Sequence, residues 1–290
     1  RTKRKEMNIL DDLKLQYRTG GMVQKLIFWN IGCFLLSLVF FYSFSVGKFQ
    51  IPYWIALSSD FGTFIRTPWT LITFNFFHAG FLHLIFNLMV LQFSGRLFST
   101  YFTDKQLLGV YVLGGIFSGL TFVLSYIVIG KSGLLVGASG AIMAILIATA
   151  TYAPFMLLRI PLIGIVKLWH VAFVILLVDL IQMPLDNTGG HLAHLGGALF
   201  GFIYIKLLQS GKDITKPFLA LLDTFANLFK PKKKTPFKKV HRNTTKKVVN
   251  SVTEKDITQK QIDDILDKIS KSGYDSLTKE EKEFLFKAGK

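Results

Sequence analysis

Long apolar runs alternate with short polar segments along the chain, and this pattern predicts a bundle of membrane-spanning helices. Six apolar runs cover residues 26–46, 71–98, 107–129, 140–152, 162–182 and 190–208. The core of a bilayer requires about 20 consecutive apolar residues in a helix. The fourth run is shorter, which favours a helix that begins below the membrane surface and is enclosed by its neighbours. We therefore expect an all-α, polytopic membrane protein with six spans.

The polar segments at the start of the chain suggest two surface elements. Residues 1–25 are expected to form a short amphipathic helix that ends at the Gly20–Gly21 pair. Residues 47–69 combine charges and prolines with large aromatic side chains, among them Trp54, Phe61, Phe64 and Trp69. This mixture is typical of an amphipathic segment embedded in the membrane interface, and a surface loop is the alternative.

The chain becomes polar again after residue 208. Residues 209–250 are expected to form a flexible, basic linker. Residues 251–290 are expected to form a small helical hairpin, because apolar positions recur at helical spacing and Gly273 suits the end of a helix. Thr278 and Glu281 have the spacing of a capping box, which would start the second helix. The predicted domains are an N-terminal segment (1–25), a membrane domain (26–208), a linker (209–250) and a small cytoplasmic module (251–290).

Composition and charge agree with a membrane protein and suggest its orientation. Hydrophobic residues make up 51% of the chain, and the single cysteine, Cys33, excludes an internal disulfide framework. Residues 206–247 hold twelve Lys or Arg against two Asp. Such an excess next to a span marks the cytoplasmic side and can attract anionic lipid, so both ends are expected in the cytoplasm. Nucleic-acid binding is not expected, because Phe237 is the only aromatic side chain in the basic run at 230–247.

One serine and one histidine in the apolar runs are candidates for catalysis. Ser139 follows Gly137 and Ala138 at the start of the fourth run, and His194 lies in the sixth. The predicted topology puts both near the non-cytoplasmic side. A serine hydroxyl becomes a nucleophile when a base takes its proton, and His194 could be that base. Asp179 has a comparable depth, but nothing in the sequence ties it to His194, so we expect a Ser–His dyad without a third acid.

Attack on a carbonyl would also require donors for the resulting oxyanion. His83 and Asn87 are spaced i, i+4 on one face of the second run, and the backbone N–H of Ser139 is a third candidate. Gly137 and Gly140 would allow close approach of other backbone. In isolation, Gly-Ala-Ser-Gly is more often a packing motif than a catalytic one. Likewise Gly197 and Gly201, spaced i, i+4, are more typical of a helix-packing face.

The histidines also raise the possibility of a metal site. Four of them fall in or near the apolar runs: His78, His83, His191 and His194. No carboxylate or cysteine completes an obvious ligand set, so neither a metal nor another cofactor is expected. His78 and His191 are interpreted as structural or supporting residues.

Taken together, these motifs resemble the rhomboid family of intramembrane serine proteases. The matching pieces are His78 with His83-Leu-Ile-Phe-Asn87, Gly137-Ala-Ser139-Gly140, and Ala193-His194-Leu-Gly-Gly197 with Gly201. The resemblance covers residues 26–208. It implies a six-helix bundle, a Ser139–His194 dyad, an oxyanion site that includes His83 and Asn87, a membrane-embedded first loop, and a fifth helix that gates substrate entry.

The resemblance also implies partners and a location. Substrates would be single-span membrane proteins cut at peptide bonds near helix-destabilising residues, and a bacterial inner membrane is the expected location, with the oligomeric state open. Two positions depart from the family pattern. Thr70 follows Trp69 where many members have Arg, which would leave any equivalent charge to Arg66, and Met143 stands where many have Tyr.

Two other functions compete with the protease hypothesis. A non-catalytic module of the same fold would bind transmembrane helices without cleaving them, and Thr70 and Met143 leave room for that alternative. A solute transporter would use the histidines as a proton relay. The lack of a repeated pair of Gly/Pro-broken helices in the sequence argues against the transporter.

Overall fold

The structure is a computed structural model that describes residues 8–185, 187–228 and 254–288. Its chain divides into two compact units, Arg1–Lys230 and Pro231–Lys290. The described helices of the first unit are α1 (Ile9–Thr19), α2 (Met22–Phe40), α3 (Phe61–Arg66), α4 (Thr70–Thr73), α5 (Phe81–Ser99), α6 (Asp104–Ile129), α7 (Ser139–Tyr152), α8 (Leu168–Gln182), α9 (Thr188–Gln209) and α10 (Thr215–Leu228). The prediction of a mainly helical fold is therefore confirmed.

Four of these helices, α2, α5, α6 and α9, are long and apolar enough to cross a membrane. Helices α7 and α8 are apolar but shorter, with 14 and 15 residues. The chain is thus an integral membrane protein with several spans, while the count of six stays a prediction. The outward faces of these helices are apolar, as contact with lipid requires. In α8, for example, Phe173, Leu177 and Ile181 are exposed.

Local sequence signals explain where the longest helix begins and ends. The Thr103 hydroxyl accepts from the Gln106 backbone N–H, and the Gln106 side chain accepts from the Thr103 N–H. This reciprocal capping box satisfies two backbone donors at the start of α6. Gly130 ends the helix in a left-handed conformation, with φ at 71°.

Three antiparallel ribbons connect the helices: β1 (Tyr42–Ser43) with β2 (Lys48–Phe49), β3 (Leu57–Ser58) with β4 (Leu134–Leu135), and β5 (Leu157–Ile160) with β6 (Gly164–Lys167). Leu57 pairs with Leu135, which ties the first loop to the segment just before α7. Ser59 and Gly133 extend this link, because their backbone groups are hydrogen-bonded at 3.0 Å. The predicted interface segment at 47–69 is therefore a short ribbon and helix packed onto the link before Ser139.

The ribbon β5–β6 corrects two predictions. Pro154 and Arg159 predict a simple turn, and the fifth apolar run predicts a helix from residue 162, but the helix begins at Leu168. The apolar strand residues resemble the start of a span in hydropathy alone. The turn depends on Leu162 and Gly164, whose φ angles of 68° and 101° lie outside the helical region.

Helix α7 is the centre of the first unit, since every residue from 140 to 150 is buried. A Cβ added to Gly197 would collide with the carbonyl oxygen of Gly140, and one added to Gly201 would collide with that of Ala144. These glycines allow α9 to lie directly against α7, as expected for a helix-packing face. Burial on all sides explains why a 14-residue helix suffices here.

The end of the first unit corrects the predicted linker at 209–250. Residues 215–228 form α10, which packs on α6, and Gly109 of α6 lies directly against Thr215. Asp213 Oδ1 accepts from the Thr215 N–H at 3.0 Å, which stabilises the start of the helix. The remaining residues of the predicted linker lie outside the described part of the chain.

The second unit contains α11 (Glu254–Ser272) and α12 (Lys279–Ala288), joined by a short 3-10 turn at Tyr274–Ser276. Gly273 follows α11 with φ at 77°, and the Thr278–Glu281 capping box starts α12. Lys268 of α11 donates to both carboxylate oxygens of Glu281, at 2.8 and 2.9 Å. Two helices therefore occur where a hairpin was predicted, while the division of the chain into domains stays a prediction.

Candidate active site

The start of α7 and the first turns of α9 bring Ser139 and His194 into contact. Ser139 is the first residue of α7, and His194 Nε2 lies 2.7 Å from its Oγ. Backbone N–H groups in the first turn of a helix have no partner within that helix, so the Ser139 N–H also points away from α7. Fifty-five positions separate the two residues in sequence, and the close α7–α9 packing brings them within hydrogen-bond distance.

A carboxylate completes this arrangement. Asp179, on α8, has its Oδ1 at 2.9 Å from His194 Nδ1. The prediction of a Ser–His dyad without a third acid is therefore wrong. Helix α8 ends at Gln182 and α9 begins at Thr188, so a short connection makes the two helices antiparallel neighbours. It places the end of one beside the start of the other, where Asp179 reaches His194.

The same carboxylate oxygen also lies 2.7 Å from Nδ1 of His191. His191 and His194 are spaced i, i+3 on α9, so their side chains project from one face of the helix. An ionised carboxylate only accepts hydrogen bonds, so both Nδ1 atoms must carry protons. A neutral His194 then has an unprotonated Nε2, which accepts from the Ser139 hydroxyl.

His83 and Asn87, the predicted oxyanion residues, lie at the same end of the bundle. Both line one cavity together with Ser139 and His194. A Cβ added to Gly137 would lie 2.9 Å from His83 Nε2 and 3.8 Å from Ser139 Oγ, so the space above Gly137 borders both groups. The Asn87 amide donates to the His83 carbonyl oxygen at 2.8 Å.

Gly137 occupies a backbone conformation that favours glycine, with φ at 134°. Its N–H donates to the Phe74 carbonyl oxygen at 2.9 Å, which fixes the segment before Ser139. A Cβ on Gly140 would collide with Ser118 of α6, so this glycine allows α6 and α7 to approach closely. Both glycines thus determine where Ser139 is placed.

His78 was predicted to support the site, and Met143 and Thr70 depart from the family pattern. His78 is fully buried before α5, and its ring meets that of His83 edge-on at 5.1 Å. Met143 is buried on α7 and lines the cavity with Ser139.

Thr70 is buried and donates to the Thr67 carbonyl oxygen, while the indole N–H of Trp69 donates to the Trp54 carbonyl oxygen. Arg66, the predicted substitute for the missing charge, is exposed at the end of α3.

The cavity at this site has a volume of about 510 Å³ and is mainly apolar. Phe86 and Val90 of α5 line it, as do Val174 and Val178 of α8. Only Leu168, Ala172 and Asp179 of α8 are buried, so this helix is attached to the bundle along a narrow face. An apolar segment could therefore approach Ser139 between α5 and α8.

Sequence reasoning did not pair Asp179 with His194, although a signal for Asp179 was present. An ionisable residue within a membrane span is a functional candidate by default, and Asp179 is one. Its position also adds a carboxylate to the possible metal ligands. Asp179, His191 and His194 place ligand atoms within 4.8 Å of one another, so a carboxylate does complete a possible ligand set.

Sequence comparisons agree with the motifs. Residues 66–210, half of the chain, match the model of the Rhomboid domain, and residues 249–287 match a family of unknown function, DUF6576. The chain is 36% identical over 138 residues to presenilin-associated rhomboid-like protein A, mitochondrial, from Danio rerio. It is 31% identical over 143 residues to the presenilin-associated rhomboid-like protein, mitochondrial, from Homo sapiens. These alignments cover 45% and 48% of this chain but only 35% and 37% of the relatives.

Proposed function

Because the chain belongs to the rhomboid family, whose members are generally intramembrane serine proteases, we propose that it is a serine endopeptidase with a Ser139–His194–Asp179 catalytic site. The observation that carries the proposal is the continuous hydrogen-bonded series from Asp179 Oδ1 through the His194 imidazole to Ser139 Oγ. This differs from the dyad expected from the sequence, because a buried acid orients the base.

In this proposal the site residues have distinct roles. Ser139 Oγ attacks the peptide carbonyl carbon while its proton passes to His194 Nε2. Asp179 keeps the proton on Nδ1 and stabilises the positive charge that the ring acquires. The tetrahedral oxygen would accept from the Ser139 N–H and from His83, beside the space above Gly137, with the Asn87 side chain nearby. The protonated His194 then gives its proton to the leaving amine as the C–N bond breaks. Water attacks the resulting ester on Ser139, with His194 again as the base.

Rhomboid-family proteins act on transmembrane substrates, and the apolar cavity between α5 and α8 is consistent with such a substrate. We propose that a membrane-embedded segment of the substrate enters there. The resemblance implied a bacterial inner membrane as the location. The comparisons favour a mitochondrial membrane instead, since the relatives carry the word mitochondrial in their names. We propose from the placement of Lys and Arg that the chain enters and leaves the membrane on one side, opposite to Ser139.

The test is cleavage of a model transmembrane substrate by the purified chain in lipid vesicles. We expect cleavage by the wild type and at least a 10³-fold loss with Ser139→Ala or His194→Ala, because each removes a group that takes part in bond breaking. A folded wild type that cuts none of several transmembrane substrates would contradict the proposal.

A further inference from the structure

Asp179, His191 and His194 have the donor chemistry of a zinc site. Two imidazole nitrogens and one carboxylate oxygen converge within 4.8 Å at the end of α8 and the start of α9. The exposed fractions of these side chains are 9%, 12% and 24%. We propose that this cluster binds Zn²⁺ or a similar transition-metal ion, and that the bound ion inactivates Ser139. The second part rests on the proposed function.

The type and number of donors select the class of ion. Two histidines and one carboxylate, with water in the fourth position, are a common ligand set for zinc. Calcium and magnesium prefer six or more oxygen ligands, which this cluster does not supply. The Nδ1–Oδ1 distances are 2.7 and 2.9 Å. Zinc–ligand bonds of about 2 Å in a tetrahedron separate ligand atoms by about 3.3 Å, so each Nδ1–Oδ1 distance would need to grow by about 0.5 Å.

The surroundings of the cluster allow an ion to enter. Asp179 and His194 both line the cavity that leads to Ser139, so the ion does not have to cross packed side chains. The short α8–α9 connection and the i, i+3 spacing on α9 hold the three ligands together without the ion. A site whose ligands are already close requires little rearrangement on binding.

Binding would reverse the tautomer of His194. In the ion-free site Nδ1 carries the proton and Nε2 accepts from the Ser139 hydroxyl. A metal ion takes the lone pair of Nδ1, so the ring proton moves to Nε2, which then donates to Ser139 Oγ. His194 can no longer accept the hydroxyl proton, and Ser139 loses its base. The ion also neutralises Asp179, which would otherwise stabilise the charged imidazole.

The first test measures metal binding without any dependence on proteolysis. The purified full chain, with its affinity tag removed and carrying Ser139→Ala, is titrated with Zn²⁺ by calorimetry and with Co²⁺ by visible absorption. We expect one ion per chain, with the intense absorption of tetrahedral Co²⁺. His191→Phe should weaken binding about 100-fold or more because it removes one ligand. The control His170→Phe changes an exposed histidine of α8 and should leave binding unchanged.

Two results would overturn the site: failure of the folded Ser139→Ala protein to bind one ion, or equal binding by His191→Phe. The second test adds Zn²⁺ to the wild type during substrate cleavage, where we expect inhibition that a chelator reverses. Zinc that binds without inhibiting would overturn the inactivation step. A wild type that is inactive without metal would instead refute the proposed function, while the calorimetric result would still decide the site.

Discussion

One carboxylate oxygen of Asp179 accepts hydrogen bonds from the imidazoles of His191 and His194. This contact determines which ring nitrogen of each histidine carries the proton. Ser139 and His194 were identified from sequence because they are polar groups in apolar runs with recognisable neighbours. Asp179 was not paired with His194, since the pairing depends on where α8 ends and how the chain turns into α9. That geometry comes from the packing of the two helices, and no local pattern in the sequence indicates it.

Asp179→Asn should lower kcat by about 10²- to 10⁴-fold, because an amide can donate to Nδ1 and so favour the wrong tautomer of His194. KM should change little, since Asp179 orients the base and does not take part in bond breaking. The measurement is steady-state cleavage in lipid vesicles, with Asp213→Asn, on the other side of the bundle near α10, as the matched control. An unchanged kcat for a folded Asp179→Asn protein would show that the carboxylate is dispensable.

At the scale of elements, hydropathy predicted the long helices and failed where a short element is stabilised by its neighbours. The runs at 107–129 and 190–208 became α6 and α9, with boundaries set by a capping box and flanking turns. The strands β5 and β6 were assigned to a turn and a span because their apolar side chains give the same hydropathy as a helix. Helix α10 was missed because its residues were grouped with the basic segment that follows it in the sequence.

The α7–α9 contact is the packing that brings Ser139 to His194, so enlarging it should destabilise the fold. Gly201→Ala would place a methyl group 3.0 Å from the backbone nitrogen of Ala148 and against the Ala144 carbonyl, neither of which can rotate away. We expect a loss of about 1–3 kcal/mol in the free energy of unfolding. Denaturation of the protein in mixed detergent micelles measures it.

Gly32→Ala is the matched control, because Gly32 lies within α2 and a Cβ there has nothing within 4 Å. This substitution should be neutral or stabilising by up to about 1 kcal/mol, since alanine favours the helix. Equal effects of the two substitutions would mean that helix propensity, and not the α7–α9 contact, determines the result.

At the scale of the whole molecule, the two compact units have separate family matches, with the rhomboid match inside the first and the DUF6576 match inside the second. The sequence predicted the helices of the second unit because Gly273 and the Thr278–Glu281 box are local signals. The role of this unit has no comparable signal, since no catalytic motif was found in it.

The Lys268–Glu281 pair should hold α12 against α11. The hydrogen bond from Lys268, and then the N–H of Thr278, lower the pKa of Glu281. A carboxyl whose pKa is lowered by folding stabilises the folded state at pH values above its unfolded-state pKa. This contribution to the free energy of unfolding is lost as the pH falls through the folded-state pKa. We expect Glu281→Gln to speed amide hydrogen exchange in α12 at neutral pH, with the difference from wild type shrinking below about pH 4.

Hydrogen exchange with mass spectrometry on the full chain measures this effect. Glu283→Gln is the control, because Glu283 is exposed on the same helix. Identical exchange of wild type and Glu281→Gln at neutral pH would show that the pair does not stabilise the second unit.

The central claim is that Ser139 is a nucleophile activated by His194 and Asp179, and labelling with a fluorophosphonate probe tests it most directly. Purified wild type is compared with Ser139→Ala, His194→Ala and Asp179→Asn, and the modified peptide is identified by mass spectrometry. We predict rapid labelling of the wild type at Ser139, none with Ser139→Ala, and strongly slowed labelling with the other two. A folded wild type that does not react, or that reacts equally fast without His194 and Asp179, would contradict the account.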